Sequence, residues 1–173
     1  MRVAAEQGLE AVSLRHVAAA ADVSAGMVQH YFRTKDEMMA FALAVVRERA
    51  EVRITAAVER LGADPAPRLL LRTMIAALLP LDGEARDDGR VALAFLAYTA
   101  VRPGAAAGLR GDTREMVGFV AGLLPGPRSA EAAAGLLALM EGLGVYLLGG
   151  HYTPDQALGA LDAHLDLLFA TAR

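Results

Sequence analysis

The chain has 173 residues, 55% of them hydrophobic and 21% charged, with 17 basic and 20 acidic side chains and a formal net charge of -3. That length can bury a core without covalent staples, and the absence of cysteine excludes disulfide scaffolds, thiolate metal sites and cysteine nucleophiles. No N-terminal stretch joins a charged start, an apolar centre and a small-residue cleavage site, so the expectation is a cytoplasmic protein.

Strand signals are almost missing, because Val, Ile and Thr rarely cluster and no alternating run is bounded by hairpin dipeptides. The fold class expected is all-α. Ser13 to Ala21 reads as a short capped helix, Asp22-Val23-Ser24 as a turn, and Ala25 to Phe32 as a second short helix capped by Ser24. Two short helices around a tight turn form a helix-turn-helix. Val17, Ala18 and Ala21 would then pack on Val23, Val28 and Phe32, leaving Ala25, Met27, Gln29 and His30 on a free face. Gln can make a bidentate contact to adenine, His can donate to a phosphate or a guanine edge, and small Ala25 and Gly26 allow close approach to a DNA backbone. Thr34-Lys35 begins the next helix, so amide groups, dipole and lysine would form a phosphate clamp.

That next helix runs from Asp36 to near Gly62, with Met38, Phe41, Ala42, Val45, Val52 and Ala56 on one side and Arg47, Glu48, Glu51 and Arg53 on the other. Asp64-Pro65-Ala66-Pro67 breaks the chain. Leu70, Met74, Ala77, Leu78 and Leu81 make another stripe, followed by an acidic surface loop from Asp82 through Gly89. Val91, Phe95, Tyr98 and Val101 mark a helix apolar on most sides, hence central, ending at Pro103-Gly104. Leu109, Thr113, Met116, Val120 and Leu124 give the next, closed by Pro125-Gly126-Pro127. Ser129 can cap the following helix, whose apolar run Ala132 to Leu148 is interrupted by Glu141 and falls short of the ~20 residues of a membrane span. It reads as a buried helix, with no membrane partner. Thr153-Pro154-Asp155-Gln156 is a capping box with proline at the first helical position, and Leu158, Leu161, Leu165 and Leu168 follow as a narrow seam.

Several of these segments carry a resemblance. The run Leu14-Arg15-His16-Val17-Ala18 through Asp22-Val23-Ser24-Ala25-Gly26-Met27-Val28, then His30-Tyr31-Phe32 and Thr34-Lys35-Asp36-Glu37-Met38, resembles the DNA-binding domain of the TetR (tetracycline repressor) family. The later helix pattern looks most like the branch that includes the choline-responsive BetI repressors. The resemblance implies a homodimeric one-component regulator, usually a repressor, in which a small molecule entering the C-terminal part changes the separation of two operator-reading heads. It implies a helix-turn-helix head over residues 1 to 47 and a ligand-binding and dimerisation domain over 48 to 173. Carried over by position, Ala25, Met27 and Gln29 fall where the family reads bases, and Arg15, His30, Tyr31, Thr34 and Lys35 where it holds phosphates or the groove edge; Ser24 and Gly26 complete the DNA-facing set. Phe32 falls in the small core.

This chain departs from the family pattern at Asp22, where glycine is usual, and at Gln29, where tyrosine is frequent. The family's first helix also normally runs two to three turns before Glu6-Gln7-Gly8 and follows a basic arm. Either Met1 is internal to a longer product, or the first helix is shortened. Residues 1 to 47 hold five basic and five acidic groups, so the head is neutral and the net charge sits in the remainder. Since phosphate neutralisation dominates DNA affinity, a neutral head is a weak footprint unless Arg15, His30, Arg33 and Lys35 cluster.

An apolar effector pocket with a few polar handles is expected among Met74, Phe95, Tyr98, Met116 and Phe119, with ordinary core packing the alternative for each residue. Glu141, a lone carboxylate in an apolar helix, either serves a cationic effector or pairs with an arginine or histidine of its own or a partner chain. Gly135, Ala138, Gly142 and Gly144 remove bulk and, with the Leu158 to Leu168 seam, suit a homodimeric four-helix contact; burial within the same chain is the alternative. His164 and Asp162 flank that seam as candidate cross-dimer contacts. No metalloprotease, phosphate-loop or nucleophile motif is present, and four scattered histidines give no metal constellation. Neither catalytic residues nor a cofactor are expected. The rival reading is an all-helical small-molecule-binding protein without DNA activity.

Overall fold

The computed structural model describes residues 18–19, 22–101 and 107–170, and among these it contains seven α-helices and no strand. In chain order they are α1 (Ala25–Tyr31), α2 (Lys35–Glu59), α3 (Pro67–Leu78), α4 (Gly83–Ala100), α5 (Ala107–Leu123), α6 (Ser129–Leu148) and α7 (Pro154–Ala170). Arg15, Val17 and Ala21, with most of the expected Ser13 to Ala21 helix, the expected shortened first helix and the Pro103-Gly104 break lie outside the described residues, as does the side chain of Leu109.

The main core gathers one stripe from each of four helices. Leu71 and Ile75 of α3, Val120 of α5, Leu136, Leu143 and Leu147 of α6, and Leu161 and Leu165 of α7 are all buried together. Arg68 and Arg72 of α3 clip onto α7 at its edge, with Arg72 Nε donating to Asp162 Oδ1 at 2.8 Å and Arg68 Nη2 lying 2.7 Å from Asp166 Oδ1. Asp162 is therefore paired within its own chain. The capping box at Thr153 forms as expected, with Thr153 N donating to Gln156 Oε1 at 2.9 Å and Gln156 N to Thr153 Oγ1 at 3.3 Å. At the other end of that turn Gly150 takes φ +70°, and the bonds Gly150 N to Leu147 O and His151 N to Tyr146 O close α6 as a Schellman motif.

Four expectations are corrected. The acidic segment after Asp82 is helix, because Asp82 Oδ1 accepts from Ala85 N at 2.9 Å and starts α4 there, and Asp88 within it is only 2% exposed. Helix α4 is not central: Val91 and Thr99 are buried, but Leu96 and Ala97 face outward. Ser129 is the first residue of α6 rather than its cap, and Arg128 precedes it without a side-chain cap bond. Helix α6 is 20 residues long, so length and composition alone would let it cross a bilayer, and it is buried on one side only. Leu136, Leu143 and Leu147 enter the core while Ala134, Gly135, Ala138, Val145 and Tyr146 are exposed. Its apolarity thus comes from a core face and an outer face that joins small residues with Val145 and Tyr146.

Candidate nucleic-acid interface and ligand cavity

The head is built on a left-handed turn. Asp22, at φ +54°, is the only non-glycine residue with positive φ among the described residues. Its N–H donates to Ala19 O and that of Val23 to Ala18 O, which ends the preceding helical turn as a second Schellman motif. Aspartate tolerates this backbone better than most L-residues, which accounts for it where glycine is usual. Ser24 Oγ then accepts from Met27 N at 3.1 Å and starts α1.

Burial sorts the residues of α1. Val28 is buried with Ala18, Met38, Val46 and Val91, and Val23, Ala25 and Phe32 pack against that cluster. Ala25 therefore shares the inward side with Val28, whereas the sequence pattern put it on the free face. Gly26, Met27, Gln29, His30 and Tyr31 are exposed, Met27 at 52% and Tyr31 at 73%, and the His30 and Tyr31 rings meet edge to face. At the start of α2, Thr34 Oγ1 accepts from Glu37 N at 3.1 Å, and Glu37 Oε2 accepts from Arg33 N at 2.8 Å. Lys35 Nζ lies 6.0 Å from the Tyr98 ring centroid, and the Tyr98 hydroxyl donates to Asp36. Tyr98 of α4 thus braces the first turn of α2.

Helix α2 runs without a break through residue 47, so head and C-terminal part share one rod. Just beyond residue 47 it carries Arg49 and Arg53 on one side, four residues apart. Arg53 Nη1 donates to Asp88 Oδ2 at 2.8 Å, Arg49 Nη1 to Asp88 Oδ1 at 3.2 Å, and Arg53 Nε to the Ala77 carbonyl at 3.4 Å. A carboxylate this deeply buried is tolerable only because both its oxygens are paired. The cluster ties α2 to α4 and to the end of α3.

Beside it lies a cavity of about 140 Å³ between α2, α3, α4 and α6, lined by Arg53, Asp88 and Glu141 and otherwise by aliphatic and glycine residues. Glu141 lies at the outer edge of α6, where it is partly exposed to solvent and only partly covered by the cavity. It makes no hydrogen bond or ion pair among the described residues, and burial pushes its carboxyl above the ordinary 4.5. The other residues expected at an effector pocket do not join it. Met74 and Phe119 meet in a separate open groove with Ile54 and Leu70, Met116 is exposed, and Phe95 lines neither space. The sequence reading missed Arg53 and Asp88 as cavity residues, because Asp88 sits in an acidic run that looked like a solvated loop.

The leucine seam is also corrected. Leu161 and Leu165 have no exposed area within the chain itself, and Leu158 and Leu168 pack against the same core, so a second subunit cannot bury the first two further. The outward side of α7 is instead Gly159, Ala160, Ala163 and Leu167, the last 67% exposed. On α6, the helix that packs beside it, Gly135 and Ala138 are exposed and Gly142 partly so.

This arrangement, a helix-turn-helix head carried on a long helix into a helical domain, meets its counterpart in known sequences. The pattern of bacterial regulatory proteins of the tetR family matches residues 1–41, and that of the C-terminal part of BetI-type transcriptional repressors matches residues 67–170. The chain belongs to the TetR family. As a TetR-family transcriptional regulator it is 32% identical over 171 residues to the HTH-type transcriptional regulator BetI of Burkholderia thailandensis, covering 95% of this chain and 87% of that protein. The crystal structure of a transcriptional regulator from Rhodococcus sp. Rha1 shares 34% identity with this TetR-family chain and superposes with a TM-score of 0.87, covering 99% of this chain and 92% of the other. A regulator from Saccharomonospora viridis, solved in complex with choline, shares the fold at 20% identity and a TM-score of 0.78, covering 95% of this chain and 90% of the other.

Proposed function

We propose that this TetR-family regulator is a cytoplasmic homodimeric repressor that reads a palindromic operator with a head of residues 1 to about 47. Residues 48 to 173 dimerise and take up a small molecule that releases the operator. The observation that carries this reading is the single rod α2, which starts beside the exposed face of α1 and bears at Arg49 and Arg53 the ion pairs to Asp88 on the cavity wall. Val91 of α4 reaches into the head's own small core, giving a second mechanical link. A ligand that changes the spacing of α2 and α4 would tilt the head, and two heads must keep a fixed separation to occupy half-sites one helical turn apart.

The dimer face is assigned to the outer sides of α6 and α7. A Cβ at Gly135, Gly142 or Gly159 would meet nothing within 4 Å, so the chain's own packing does not need glycine there. Glycine in a helix costs about 1 kcal/mol relative to alanine, a loss that close approach of a second helix can offset. On the DNA side, Gln29, Met27 and Gly26 face the bases, with His30, Tyr31, Thr34 and Lys35 against phosphates.

The test is retention of genomic fragments by the purified protein at two salt concentrations, with sequencing of what is held. Recovery of a shared inverted repeat with half-sites about one turn apart supports the reading. Retention without sequence preference, or none, would leave a ligand-binding protein without operator activity.

A further inference from the structure

The cavity beside Asp88 has an occupant class written into its walls, and this inference rests on the reading that it holds the effector. Of its three charged groups, two satisfy each other: Arg53 is held by Asp88 at 2.8 Å and by the Ala77 carbonyl. An entering anion would have to displace a buried carboxylate from its arginine. The third, Glu141, faces the same space with no hydrogen bond or ion pair among the described residues. The remaining walls are aliphatic, among them Val46, Leu79, Leu93, Met140 and Leu148, and no aromatic ring lines the cavity.

We propose that the cavity takes a small aliphatic amine in its ammonium form, whose N–H groups donate to the Glu141 carboxylate while its alkyl part lies against the leucines. Quaternary ammonium ions have no N–H to donate and are recognised chiefly by the faces of aromatic rings, which these walls lack. An N–H-bearing ammonium needs acceptors, and Glu141 supplies two oxygens. A volume of about 140 Å³ compares with the cavity of roughly 150 Å³ that holds benzene, so the ligand has about six heavy atoms. Partial burial raises the carboxyl of Glu141, and a cation in contact would lower it again by favouring the ionised form.

The experiment measures thermal shift and calorimetric binding of the full chain with n-butylammonium, choline, n-butyrate and n-butanol, in parallel on Glu141→Gln and Glu141→Asp. Butylammonium should bind the parent at least about tenfold more tightly than the other three, the worth of one charge-assisted hydrogen bond. Glu141→Gln should lose about that factor, and Glu141→Asp should keep part of it. Equal binding of choline or butyrate, butylammonium binding unchanged in Glu141→Gln, or no binding by any of the four overturns the proposal. So does conversion of Glu141→Gln to a different oligomeric state by light scattering, which would make Glu141 a subunit contact. Operator retention without an amine response sinks this inference alone, whereas an amine response without operator retention sinks the repressor reading and leaves the cavity assignment standing.

Discussion

Substituting Arg53 by methionine removes the 2.8 Å partner of Asp88 while keeping most of the aliphatic packing of the side chain. Asp88 is 2% exposed and cannot regain water without opening the α2–α4 contact. Leaving one charge of a buried pair uncompensated costs roughly 3–5 kcal/mol. Arg49 stays on the other oxygen at 3.2 Å, but its side chain is 47% exposed and its contribution is correspondingly screened. The lower end, about 3 kcal/mol, is therefore expected, or about 6–12 °C in Tm for a domain of this size. Calorimetry of Arg53→Met should show that loss, and the double variant Arg53→Met, Asp88→Leu should recover most of it, since an apolar pair of similar volume replaces buried charges without penalty. Operator affinity of the single variant should fall as well, because the rod that carries the head has lost its anchor. A Tm change within 2 °C of the parent, or a double variant no better than the single, would show that the cluster is solvated and does not couple cavity to head.

Three further outcomes follow from the same geometry. Lys35→Ala should weaken binding to all DNA sequences alike and lower the salt slope by about one, and Tyr31→Phe should weaken operator binding too, both without altering the dimer; fluorescence titrations at several salt concentrations decide this. Leu161→Asp should unfold the chain, because its side chain is wholly interior, while Leu167→Asp or Ala163→Arg should leave the fold intact and give monomers by light scattering; monomers from Leu161→Asp with unchanged Tm would overturn the face assignment. The pH dependence of stability should carry a contribution from Glu141. Its folded carboxyl titrates above the unfolded value near 4.5, so the folded state holds the extra proton between the two values. The stabilisation is complete below the unfolded value and is lost as pH rises through the folded one. Glu141→Gln should accordingly be the more stable protein at neutral pH, and a parent at least as stable there would remove the burial argument.

Local signals in the chain determined its all-helical class, most helix ends and the reading head. Those signals act over a few residues: Ser24, Thr34 and the Thr153–Gln156 box cap helices by direct side-chain bonds to nearby backbone, and Asp22 marks a left-handed turn. Tertiary structure decided what periodicity cannot encode, namely which neighbour each stripe meets. The leucines of α7 face α3 and its own core because α3 brings Leu71 and Ile75, with Arg68 and Arg72 for the α7 aspartates, and this turns Gly159, Ala163 and Leu167 outward. Asp88 became interior only because Arg49 and Arg53, more than thirty residues earlier, supply its two bonds. Charge in a sequence reads as surface until its long-range partner is known, since the cost of burial is set by a pairing that no local window contains.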